Sequence, residues 1–237
     1  MKFNIIGIDP SLISTGLVVY NGIDAKLFNY CRESDASNKS GLSKWFKVAD
    51  QIVTYRFIEY RKWDGYSEGE LVKLKDYDRI SSLIINDIES NIDRSIPTKI
   101  GIEGYSYSSD AGAIIDLVTF STLLRKKLYD YISQDITVFS PSTLKLETCK
   151  LTYPPINEGK KKEKWVYKNN SGIPGGSFTK HHMFLSIVEN KNLVDDWSNL
   201  CRSLSSEIFG LSKIPKPFED LVDGFHLFSI LRGIKGY

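Results

Sequence analysis

The chain has 237 residues, 41% of them apolar and 25% charged, with a net charge of +2. That length favours one core with insertions over two domains, and the apolar share argues against a membrane protein. A charge so near neutrality does not by itself announce nucleic acid, although acids committed to a site would leave the remaining surface more basic than the sum. Three cysteines, Cys31, Cys149 and Cys201, lie far apart with no C-x-x-C pair, which points to reduced, buried thiols and not to a zinc site or disulfide framework. No apolar run reaches the ~18 residues that a membrane span needs.

Phe3–Asp9, Gly16–Tyr20 and Ala25–Tyr30 read as three strands in quick succession, with the hairpin pair Asn21-Gly22 between the second and third. They predict an antiparallel meander that opens on a buried, nearly all-apolar strand. The link Pro10–Thr15 is small and polar, as a tight turn requires. A first insertion follows at about 31–75. It is polar over Glu33–Ser43, then aromatic and basic from Trp45 to Trp63, with a candidate strand at Ile52–Tyr60. Two readings of those aromatics stay open: platforms for stacked bases beside phosphate-binding Arg and Lys, or ordinary packing of the insertion onto the domain.

Ile80, Leu83, Ile84, Ile88 and Ile92 recur at helical spacing across Tyr77–Ile92. Lys99–Glu103 is a strand, Asp110–Ser133 a long amphipathic helix, and Ile136–Phe139 a short strand before a helix opened by Pro141-Ser142. The long helix is a candidate dimer surface, and packing on the sheet explains its apolar face equally well. A second insertion, at about 151–176, is rich in Pro, Gly, Asn and Lys and reads as a loop. Its run Lys160-Lys161-Lys162 is either a solvated loop or a set of phosphate contacts. Thr179–Glu189, Asp195–Ser206 and Phe218–Leu231 are helical. Strand, helix, strand, helix after a three-strand meander predicts an α/β chain on a mixed sheet.

Four carboxylates stand out from this pattern. Asp9 ends the first apolar strand before Pro10-Ser11, and Glu103 ends a second before Gly104. Asp220 and Asp223 lie three apart at the start of the last helix, hence on one face of it. Each has an ordinary explanation: a turn start for Asp9, a solvated strand end for Glu103, a favourable helix-dipole position for the pair. One arrangement accounts for all four. If the strands of Asp9 and Glu103 are parallel neighbours, their carboxyl ends lie side by side, and the last helix needs only to cross that edge. Four carboxylates so close repel one another without a cation. Oxygen ligands suit Mg²⁺ or Mn²⁺, and two such ions clamp an in-line displacement at phosphorus. His226 shares the face of Asp223 and is a candidate auxiliary group for orienting a water; a buried histidine without that role is the alternative. His181 and His182 are adjacent and point apart, which argues against a shared metal.

Gly7-Ile8-Asp9-Pro10-Ser11 with Thr15-Gly16, then Ile102-Glu103-Gly104, Phe139-Ser140-Pro141-Ser142-Thr143-Leu144-Lys145 and Asp220-Leu221-Val222-Asp223-Gly224, resemble in order the motifs of RuvC-type Holliday-junction resolvases. These belong to the ribonuclease H-like superfamily. The resemblance covers nearly all of residues 1–237 outside the two insertions. It implies a single α/β domain with a five-stranded mixed sheet, its first three strands antiparallel, flanked by helices. It implies a homodimer that nicks four-way DNA junctions symmetrically by metal-dependent phosphodiester hydrolysis. Asp9, Glu103, Asp220 and Asp223 match the family's catalytic, metal-binding acids, which implies two Mg²⁺ ions per site, with Mn²⁺ able to substitute. Lys145 matches a basic position that would hold a DNA phosphate. Lys180, where the family's lysine-bearing helix resumes, is a second candidate contact, and Lys160, Lys161 and Lys162 are further ones.

The chain also departs from that pattern. Glu147-Thr148-Cys149 and the second insertion stand where family members carry a glycine-rich basic stretch. Insertions of this kind resemble viral or bacteriophage relatives. They leave the substrate more open than the chemistry, because loops and not the fold set specificity. A nuclease for flaps, replication intermediates, packaging or duplex DNA, and a DNA-binding module without turnover, stay open as alternatives. A sugar-kinase-like or actin-like ATPase also begins on a Gly-x-Asp strand, but no second phosphate-binding half is evident. Met1-Lys2-Phe3-Asn4 runs directly into a strand, so no signal peptide and a cytoplasmic location (a host's, if viral) are expected.

Overall fold

The computed structural model describes residues 2–36, 43–105, 111–159 and 162–237. Three strands open the chain: β1 (Asn4–Asp9), β2 (Ser14–Tyr20) and β3 (Ala25–Cys31). They form the expected antiparallel meander, with Ile8 opposite Leu17 and Leu17 opposite Phe28. At the hairpin tip Asn21 Oδ1 accepts the amides of Ile23 at 3.0 Å and Asp24 at 2.9 Å. Gly22 there has φ 89°, a left-handed conformation that glycine adopts without steric cost.

The first insertion is more ordered than its composition suggests. It holds α1 (Glu33–Ala36), α2 (Ser43–Ala49) and β4 (Val53–Phe57). β4 pairs parallel with β3, so the sheet has six strands where five were expected. A parallel neighbour needs a crossover, and the segment carrying α2 supplies it. The long helix α3 (Tyr66–Glu89) begins well before Tyr77. Its first turns expose Tyr66, Leu71 and Leu74, so no inward apolar stripe marks them in the sequence.

Next come β5 (Thr98–Glu103), α4 (Ala111–Lys127) with a π-helical turn at Leu128–Ile132, β6 (Ile136–Phe139) and α5 (Pro141–Thr152). The second insertion is largely loop, with a small hairpin of β7 (Ile156–Asn157) and β8 (Trp165–Val166). The chain ends in α6 (Lys180–Glu189), α7 (Asp196–Ser203), α8 (Ser205–Phe209) and α9 (Phe218–Arg232). β5 runs parallel to β1, and β6 parallel to β5, giving the order β4-β3-β2-β1-β5-β6. The sheet is mixed, with its first three strands antiparallel and helices on both faces, and one strand is added at the meander's edge.

Side chains alternate across a strand, and here the alternation sorts two cores. Ile6, Ile8, Leu17, Phe28, Ile100 and Ile102 face α3 and α4, where Ile80, Ile84, Phe120 and Leu124 meet them. Ile5, Val18, Leu27 and Phe139 face the other way, toward Phe218, Leu221, Phe225 and Phe228 of α9. α9 is buried from Leu221 through Ser229, because the sheet covers one side and α5 and α6 the other. Apart from Asp223, His226 and Ser229 that stretch is apolar or glycine, as a position covered on both sides demands.

For most of the aromatics in the first insertion the packing reading holds. Trp45 meets Phe218 edge-on at 6.0 Å, Phe46 lies 5.0 Å from Tyr55, and Tyr60 donates its hydroxyl to the Leu12 carbonyl. Arg56 binds Asp87 through two hydrogen bonds, and Arg61 binds Asp76. Cys31, Cys149 and Cys201 are all buried. Among the described residues no helix is long and apolar enough to cross a membrane.

Candidate metal centre

Strand parity places the site. Asp9 follows Ile5 and Gly7 on the α9 face of β1, and Glu103 follows Gly101 on the same face of β5. Because Ile8 pairs with Ile102 in parallel register, both carboxylates leave the sheet at one edge, side by side. α9 then approaches with almost no clearance. A β-carbon on Gly16 would lie 2.0 Å from the Asp220 carbonyl oxygen, so only glycine lets helix and strand meet there. Backbone contact of this kind carries the first turns of α9 onto the strand ends.

The outcome is a cluster of Asp9, Glu103 and Asp223, with one carboxylate oxygen from each within 4.8 Å of the others. Lys180, the first residue of α6, enters the same cluster. Its ammonium donates to Asp223 Oδ2, stands 3.9 Å from Asp9 Oδ2, and lies 3.5 Å from the Glu219 carbonyl. When all three carboxylates are ionised, one ammonium leaves two negative charges, which one divalent cation would balance. Asp223 Oδ1 is buried, with no hydrogen-bond partner among the described residues. A buried carboxylate oxygen without a donor is costly unless a cation meets it, so this donor set fits a hard, oxygen-seeking metal ion.

The electrostatics agree. Burial pushes the Asp9 carboxyl up to about 6, with Lys180 opposing and Asp223 adding to the rise. Burial and the neighbouring Asp9 and Asp223 raise Glu103 well above the usual carboxylate range. Burial by itself would lower Lys180, but the charges of Asp223 and Asp9 outweigh it and hold the ammonium above its ordinary value.

Asp220 is not brought into this group. One turn earlier on α9, it accepts hydrogen bonds from the Ser14 hydroxyl and from Asn29 Nδ2 at 3.2 Å, and Lys216 stands 3.6 Å from its other oxygen. Ser14 and Asn29 reach it by the same parity, on the α9 face of β2 and β3. Burial raises the Asp220 carboxyl against the pull of Lys216, Ser14 and Asn29. Sequence reading missed these three partners. Asn29 was detectable as the polar residue in the run Leu27–Cys31; Ser14 and Lys216 carried no signal.

The other candidates scatter. Lys145 is half-buried on α5 and makes no ion pair with described residues. The start of α5 nevertheless lies near the acids, because Phe139 pairs with Glu103 and Ser140 caps the helix by accepting the Thr143 amide. Lys160 and Lys161 lie outside the described residues. Lys162 is exposed, in a hairpin that follows the end of α5 away from Ser140, and contacts none of the acids. His226 is fully buried and not turned into the cluster. Its Nε2–H donates to the Met183 carbonyl at 2.8 Å, and burial pushes the ring down to about 4, so it stays neutral. The auxiliary reading gives way to a structural bond between α9 and α6.

No protein-family model matches the chain, and no curated protein matches it. Among solved structures, the chain is similar to "T. thermophilus RuvC in complex with Holliday junction substrate", at 9% identity and a TM-score of 0.48, covering 98% of this chain and 93% of that one. It is also similar to a structure of Thermus thermophilus RuvC alone, at 11% identity and a TM-score of 0.43, covering 98% of each.

Proposed function

We propose that this chain is a metal-dependent endonuclease that resolves four-way DNA junctions by hydrolysing phosphodiester bonds. The observation that carries the reading is the convergence of Asp9, Glu103 and Asp223 within 4.8 Å at one sheet edge. Those three acids would hold Mg²⁺, with Mn²⁺ as a substitute. The bound metal would supply Lewis acidity and a water acidic enough to attack phosphorus. The chain's own part is positional: the strand ends fix two carboxylates, and α9 presses the third against them. In the hydrolysis the water oxygen bonds to phosphorus and the P–O3′ bond breaks, leaving a 3′ hydroxyl and a 5′ phosphate. Lys145 and Lys180 would meet the scissile strand's phosphates. A second ion would draw on Asp220, which must then give up part of its present shell of Ser14, Asn29 and Lys216.

Symmetric nicking requires two copies of the site, and the reading includes a homodimer. Leu71 and Leu74 on α3 and Ile115 and Val118 on α4 are exposed on neighbouring helices, which supports an apolar contact between subunits.

The test is cleavage of an end-labelled immobile four-way junction beside a matched linear duplex and a flap, in Mg²⁺, Mn²⁺ or EDTA, with Asp9→Asn as control. Paired symmetric nicks on the junction, absent in EDTA and in the variant, are expected. Equal cutting of the duplex or flap would keep the nuclease and remove the junction selectivity. Binding without cutting under every condition would leave a DNA-binding module.

A further inference from the structure

We propose that Lys180 is a tethered counter-cation: it offsets part of the acid cluster's charge while no divalent cation is held, and exchanges with that cation to become free at the mouth of the site. This inference rests on the metal-site reading above. Its first support is position. The Lys180 ammonium sits among the carboxylates, donating to Asp223 Oδ2 and standing 3.9 Å from Asp9 Oδ2, so it competes for the oxygens that would ligate a metal. The second is Asp223 Oδ1, buried with no partner among the described residues, so the lysine does not saturate the acid it binds. An ammonium satisfies one oxygen of that carboxylate and leaves the demand of the other unmet.

The third support is mechanical. Lys180 is the first residue of α6, and the backbone around it is pinned. The Thr179 amide donates to His182 Nδ1 at 3.1 Å, and one turn further His226 Nε2–H holds the Met183 carbonyl at 2.8 Å. The pairs Lys180–Asp223 and Met183–His226 are offset by three residues on both helices, so α6 and α9 stay in register through the second when the first is broken. Exchange therefore needs only rotation of a long, flexible side chain that is already 38% exposed. Two cations competing for one carboxylate are linked, and each must weaken the other by the same factor. Lys180 thereby couples loading of the acids to presentation of a positive charge toward a phosphate.

The test uses the full chain and no DNA. Mn²⁺ binding is titrated by electron paramagnetic resonance in the wild type, Lys180→Met and Asp9→Asn. In parallel, acetylation of Lys180 in the wild type is followed by mass spectrometry with and without Mg²⁺, with exposed Lys162 as the reference amine. Lys180→Met should bind Mn²⁺ about tenfold more tightly, within the usual range of coupling between linked sites. Lys180 should be acetylated more slowly than Lys162 in the metal-free wild type, and severalfold faster once Mg²⁺ is added. The labelling arm keeps the inference testable even if Lys180→Met fails to fold. Unchanged affinity in Lys180→Met, or Lys180 labelling indifferent to Mg²⁺ while Mn²⁺ binds the wild type and not Asp9→Asn, overturns the exchange and leaves the metal site standing. Failure of the wild type to bind Mn²⁺ at any site that Asp9→Asn removes overturns both.

Discussion

Gly7 of β1 lies so close beneath Gly224 of α9 that a β-carbon on Gly7 would stand 2.1 Å from the Gly224 carbonyl oxygen. The contact sits two residues before Asp9 and one residue after Asp223, so the clearance between these glycines sets how near the two acids come. Gly7→Ala must push α9 off the sheet. It is expected to cost about 1–3 kcal/mol or more, as overpacking does, and to weaken Mn²⁺ binding as well. Urea unfolding and metal titration of the same variant check both parts; a stable variant with normal metal affinity would mean the helix can shift without moving Asp223.

The raised carboxyls of Asp9 and Glu103 give the metal-free protein a characteristic pH dependence. In the folded state these acids keep protons that the unfolded chain has released. Their contribution to stability is therefore fully present below the ordinary carboxylate values and is lost as pH rises, through about 6 for Asp9 and higher for Glu103. Glu103→Gln mimics the protonated acid permanently. In EDTA the wild type should lose stability relative to this variant as pH rises above about 4.5, by up to about 1.4 kcal/mol per pH unit. Thermal unfolding across pH 5–8 measures the difference, and parallel curves would contradict it.

His226 acts in the opposite sense. Burial holds its folded value down to about 4, against an ordinary value of 6.5. Its contribution is present above the ordinary value and is lost as pH falls through about 4. His226→Gln should accordingly lose stability less steeply than the wild type as pH falls from 6.5 toward 4, which acid unfolding monitored by tryptophan fluorescence reads directly.

Ser14 and Asn29 hold Asp220 apart from the other acids. Ser14→Ala removes a donor from a buried carboxylate and should cost about 1–3 kcal/mol. If the cluster of Asp9, Glu103 and Asp223 is the primary ion site, Mn²⁺ affinity should change much less in Ser14→Ala than in Asp9→Asn. A comparable loss in both would bring Asp220 into that site.

Much of this molecule was legible without coordinates, and for identifiable reasons. The continuous apolar runs Phe3–Asp9 and Lys99–Glu103 marked β1 and β5 because strands covered on both faces must be apolar, and each run stopped at an acid. The spacing of Asp220 and Asp223 marked the start of α9. The Asn21-Gly22 pair marked the hairpin, because a tight turn needs a residue tolerant of positive φ. Such signals are local, written in the chain within a few residues of the element they specify. The candidate strand Ile52–Tyr60 does hold β4, but its place as a sixth strand was not visible, since β4 is an edge strand whose alternation is blurred by exposed residues such as Phe57. The division among the four acids was not visible at all. One helical turn separates Asp220 from Asp223, and helical spacing puts both on one face. Which of them meets Asp9 and Glu103, and which is taken by Ser14, Asn29 and Lys216, depends on where α9 crosses the strands. That crossing is decided by the close approach at Gly7, Gly16 and Gly224, a contact between residues more than two hundred positions apart. The same holds for Lys180. Its place among the carboxylates comes from the docking of α6 on α9, through side chains that share no local pattern in the sequence.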